Sequence, residues 1–118
     1  MRAALVLIVL AGLARAQDSP EQLFRDAVEA QKRGDDARAV RKYQDLVKLR
    51  PDVLAVRANL GAALAHLGRF DEAIGAAQMA GKLAAQSGDE KLLRRCQNLL
   101  KAYTRHEPFR EAPAQDAF

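Results

Sequence analysis

The stretch ANLGAALAHLGRFDEAIGAAQMA, residues 58–80, decides the fold. It holds two short amphipathic runs on either side of a Gly-Arg-Phe-Asp-Glu turn. The first places Leu60, Gly61, Leu64 and Leu67 on one helical stripe; the second places Phe70, Ala73, Ile74 and Ala77 on another. Gly61 and Ala73 carry almost no side chain, so two antiparallel helices can touch closely there. Gly68 suits the left-handed conformation that ends a helix, and Asp71 and Glu72 suit the positive end of the next. The stretch reads as a hairpin of packed helices, with no implication of DNA.

Thirty-four residues upstream the same layout occurs again. Gly34 precedes Gly68 by that interval, Ala39 precedes Ala73, and Val40 precedes Ile74. Ala27, Ala30, Tyr43 and Leu49 answer Gly61, Leu64, Ala77 and Leu83 at the same offset. A repeated helix pair of this period buries its apolar side by stacking on the next pair. The chain resembles the tetratricopeptide repeat (TPR) family in Asn59-Leu60-Gly61, in the run from Leu67 to Ile74 and in Ala80. A looser first copy is carried by Leu23, Ala27, Gly34-Asp35, Ala39-Val40, Tyr43 and Pro51. The resemblance implies an all-α fold, a right-handed solenoid of antiparallel helix pairs, with repeats at about 20–53 and 54–87.

Outward from this centre, the helix signals give five helices and no strand. Ser19-Pro20-Glu21-Gln22 starts the first, with Ser19 as cap and Gln22 placed to complete a capping box. It buries Leu23, Ala27 and Ala30 and stops at Gly34. The second runs from about Asp36 to Leu49. Pro51 opens the third, which ends near Leu67, and the fourth runs from about Phe70 to Gln86. Ser87-Gly88-Asp89-Glu90 then stops one helix and starts another, which continues to about His106. Its stripe of Leu92, Leu93, Cys96, Leu99, Leu100 and Tyr103 reads as a cap over the last pair, at about 89–106. The tail, 107–118, has prolines and no periodicity, so disorder is expected there, with Phe109 available to tuck under the last helix.

The N-terminus stands apart from the 17–106 helical domain. Met1-Arg2 is followed by an uncharged apolar run over residues 3–14, then by Ala14-Arg15-Ala16. This is the pattern of a cleavable signal peptide over residues 1–16, cut between Ala16 and Gln17. A spanning helix needs roughly 20 apolar residues, so no stable membrane anchor is expected after cleavage. The expected location is exported, periplasmic or secreted; the alanine- and arginine-rich usage points to a bacterium. Cleavage removes Arg2 and Arg15 and lowers the net charge from +4 to +2, which takes away the support for a nucleic-acid partner. The single cysteine, Cys96, leaves the helices without a disulfide framework.

No enzyme, cofactor or metal constellation is visible. His66 and His106 lie in different helices without carboxylates or cysteine at ligand spacing, and Cys96 sits in an apolar stripe. The glycines precede no Lys-Ser or Lys-Thr pair, so they form no phosphate loop. By the resemblance, the first helix of each pair lines a concave face that takes a peptide. That lining is Phe24, Arg25, Val28 and Gln31, then Ala58, Asn59, Ala62 and His66, with Leu92, Leu93 and Cys96 from the last helix. Asn59 matches the asparagine with which some members hold a peptide's terminal carboxylate. Phe24 and Val28 stand where that clamp's lysine and first asparagine would be, which disfavours chaperone-tail recognition. The apolar lining suits either a bound peptide or closure of the groove by Phe24, Val28 and Leu92 packing together. Two functions follow: a non-catalytic exported adaptor for a protein or peptide partner, or a structural module that self-associates as a homo-oligomer.

Overall fold

A computed structural model describes residues 18–108, 112–115 and 117–118. The expected signal peptide, its expected Ala16/Gln17 cut and Phe109 lie outside the described residues. The described residues form five helices: α1 (Pro20–Lys32), α2 (Asp36–Leu49), α3 (Leu54–His66), α4 (Phe70–Ser87) and α5 (Glu90–Thr104). The protein is all-α, with no strand among the described residues. None of the described helices is long and apolar enough to cross a membrane.

Each helix packs on the one before it. The reversals are made by the backbone. Gly34 and Gly68 hold φ of +80° and +77°, a region a Cβ makes costly. At the first, Gly34 N–H bonds Gln31 O and Asp35 N–H bonds Ala30 O at 2.8 Å; at the second, Gly68 N–H bonds Ala65 O and Arg69 N–H bonds Leu64 O at 2.9 Å. These are one hydrogen-bond pattern used twice, 34 residues apart, and it satisfies the last carbonyls of each helix. The same pattern returns after α4 at Gly88, and after α5 at His106, which takes φ of 57° without being glycine.

The helix starts differ in chemistry. Ser19 Oγ accepts from Gln22 N–H at 3.1 Å, but Gln22 does not close a capping box. Its amide donates instead to Asp26 and accepts from Arg25. Asp35 caps α2 through Arg38 N–H, and Asp89 caps α5 through Leu92 N–H. At α4 the cap position is Arg69, whose guanidinium donates to Glu72 at 2.9 and 2.6 Å and holds that carboxyl below its ordinary range. Pro51 does not begin α3. It lies in a turn two residues before the Val53 cap, and its carbonyl accepts from Arg57 Nε at 2.9 Å.

One main core runs through the stack, with Tyr43, Leu46, Val56, Leu99 and Tyr103 fully buried. A buried leucine such as Leu46 is worth roughly 2–3 kcal/mol. Helix α3 lies in the middle, and residues 58–65 are all buried, which is why its sequence lacks a polar stripe. Leu67, expected on the buried stripe, is instead 41% exposed because it is the residue that caps α3. Helix α5 lays Cys96, Leu99 and Tyr103 inward; an added Cβ at Gly81 of α4 would stand 3.5 Å from Cys96 Cβ.

Candidate functional site

The polar centre of the molecule is Tyr43, which α2 carries into the core. Its Oη donates to Gln31 Oε1 of α1 at 2.8 Å and accepts from Asn59 Nδ2 of α3 at 3.3 Å. Burial pushes the phenol well above its ordinary range and the Asn59 bond partly offsets this, so the hydroxyl keeps its proton as donor. Among the described residues, Gln31 and Asn59 are the buried polar side chains of the core region, 8% and 1% exposed. Their bonds to one hydroxyl tie three successive helices together.

Asn59 has a second set of partners. Its Nδ2 donates to Ala114 O at 2.8 Å, and Ala114 N–H donates to Asn59 Oδ1 at 2.9 Å. One side-chain amide thus pairs with the carbonyl and the N–H of a single residue, as a neighbouring strand would. The sequence offered no element for residues 112–118; the structure lays the described ones across α5, α3 and α1. Arg95 Nη2 of α5 donates to Ala112 O at 3.4 Å. Ala117 packs against the main core. The Phe118 ring meets Phe24 of α1 edge-on, with centroids 5.6 Å apart, and Arg50 lies 5.6 Å from its centroid. Phe24 in turn leans on Tyr43, 6.2 Å between centroids. Beside this crossing an open cavity of about 250 Å³ is lined by Phe24, Arg25, Val28, Glu29, Lys32 and Gln115.

The expected lining residues divide into two groups. Phe24, Arg25, Val28, Gln31 and Asn59 gather at the crossing or its cavity. Ala58 is buried with Ala80 and Cys96, and Leu92 packs there too, away from Phe24 and Val28 in the main core. Ala62 is 8% exposed and His66 stands 3.5 Å from Asp36 at the start of α2. Leu93 lies near Gly81 of α4. Three contributors escaped the sequence reading: Tyr43 as hub, Arg50 and Arg95 as arms. Tyr43 carried a signal, since a tyrosine stands where the second copy has Ala77.

The remaining reactive groups are quiet. Cys96 is free, buried and pushed up by desolvation, with Arg95 partly offsetting it, so it stays a thiol. Among the described residues no group of three or more His, Cys, Asp or Glu side chains is placed to hold a metal ion. Comparison with family models, with curated proteins and with solved structures found no match.

Proposed function

We propose that this chain is an exported, non-catalytic adaptor of the TPR type, a solenoid of helix pairs whose concave face binds an extended protein segment. The observation that carries the reading is Asn59, whose amide pairs with both main-chain groups of Ala114. A buried asparagine aimed at a passing backbone is a device for holding extended peptide, because main-chain bonds supply affinity irrespective of side chain. The 34-residue recurrence of one left-handed turn supports the repeat assignment. Export rests on the apolar run over residues 3–14 and the Ala-Arg-Ala site.

The test is capture from the exported fraction of the native host, comparing the parent with Arg25→Glu and Asn59→Ala, each checked for retained helix by circular dichroism. A partner held by the parent and lost by both variants supports the adaptor. Capture that neither substitution weakens sinks it. Sedimentation across a concentration series addresses the homo-oligomer: association of the protein alone, unaffected by the two substitutions, favours the structural module.

A further inference from the structure

We infer that segment 112–118 is a tethered pseudo-ligand, an internal plug that an extended peptide of the same chemistry must displace; this rests on the adaptor reading. That chemistry is a small residue whose N–H and C=O meet Asn59, followed four positions later by an aromatic ring for Phe24 and Arg50.

The placement is that of a ligand rather than a packed element. The segment touches α5 through Arg95, α3 through Asn59 and α1 through Phe24. The described residues 112–115 and 117–118 lie in no helix or strand. An extended chain has no internal hydrogen bonds of its own, and Asn59 supplies the pair at Ala114.

The seat is also shallow enough to open. Phe118 remains 49% exposed, Ala112 and Gln115 are exposed, and Arg50 is shared with Asp52 at 3.9 Å. A short tether presents its segment at an effective concentration of the order of millimolar. If the free segment binds at roughly 0.1 mM, the plug is seated about tenfold more often than it is open. An incoming peptide then binds about tenfold more weakly than it would to an empty face. Neither Phe118 nor Ala114 belongs to a helix, so either can be changed without altering a helical residue.

The experiment titrates a fluorescein-labelled peptide of residues 112–118 into the full chain and into full chains carrying Phe118→Ala or Ala114→Pro. Proline removes the N–H that Asn59 accepts, and alanine removes the ring. The expected result is about tenfold tighter binding by both opened chains than by the parent. A peptide carrying Ala114→Pro should compete at least tenfold less well. Amide exchange at Ala114 in the parent should be slower than in Phe118→Ala. Equal affinity for parent and opened chains overturns the plug, as does a probe that none of them binds. A parent that dimerises by exchanging the segment between copies overturns it as an internal contact. The probe is the chain's own sequence, so the two ideas fail separately. Groove-dependent capture of a host protein without peptide competition leaves the adaptor standing and removes the plug, and the reverse result removes the adaptor alone.

Discussion

The α1–α2 and α3–α4 pairs are each closed by the same left-handed turn, 34 residues apart, and are filled with different material. In the first, Phe24 leans on Tyr43, and Tyr43 spends its hydroxyl on Gln31 and Asn59. In the second, Ala77 replaces the tyrosine, and the helices meet at Gly61, where an added Cβ would sit 3.3 Å from Ala73 O and 3.6 Å from Ala76 Cβ. The first pair gains from a large buried ring that needs hydrogen-bond partners. The second gains from close backbone approach with almost nothing to satisfy. The two pairs are therefore vulnerable to opposite errors. A pair packed on small residues fails by added volume, and a pair packed on a hydroxylated ring fails by lost partners.

Adding volume should give the largest effect. Gly61→Leu or Ala73→Leu forces a branched side chain into the backbone contact and should cost about 3 kcal/mol or more, read as a fall in urea midpoint at unchanged slope. Losses under about 1 kcal/mol in both would mean that α3 and α4 do not meet as described.

Next is Tyr43→Phe, which keeps the ring but strips Gln31 and Asn59 of their shared partner, at a cost of about 1–3 kcal/mol. The tyrosine also gives the first pair a pH dependence that the second lacks. Its folded pKa lies above the ordinary 10.0, so its contribution is complete below pH 10 and is lost as pH rises above that toward the folded value. The loss amounts to about 1.4 kcal/mol per pH unit in that window. Urea unfolding measured at pH 10 and above should show this slope in the parent and not in Tyr43→Phe.

Gly34→Ala and Gly68→Ala test what the pairs share. Space is open around both positions, so the only penalty is the positive φ, about 1–2 kcal/mol at either site. Thermal melts that separate the two by more than that penalty would show that the turns are not equivalent. The smallest effect separates the caps: Asp35→Ala should cost about 1 kcal/mol as a lost N-cap, and Arg69→Ala clearly less, as a lost surface ion pair screened by solvent. Equal losses would mean that the Arg69–Glu72 pair acts as a cap after all.

How far the sequence speaks depends on whether a feature is periodic. Gly34, Gly68 and Gly88 marked three turns and, with Ser19-Pro20, four of the five helix starts, because backbone geometry there demands particular residues. Pro51 misled by three residues, since a proline also suits a turn ahead of a cap. Of the residues at the crossing and its cavity, Phe24, Val28 and Asn59 were reached through the 34-residue recurrence. Tyr43 was not, because a tyrosine on a buried stripe looks like core until Gln31 and Asn59 are seen converging on its hydroxyl. Residues 112–118 were illegible for a deeper reason. Asn59 grips a main chain, and a main chain leaves no mark in the sequence that carries it.

The hydrogen bonds around Asn59 also differ in how far the chain must travel to make them. Gln31 and Tyr43 are 12 residues apart, Tyr43 and Asn59 are 16, and Asn59 and Ala114 are 55. Closing a longer loop costs more chain entropy, and contacts of high sequence separation wait for the shorter ones to form. The Gln31–Tyr43–Asn59 relay therefore belongs to the early history of the fold, and the Ala114 clasp to its last event. Run backwards, the order makes the clasp the first contact to let go, with five helices still standing beneath it.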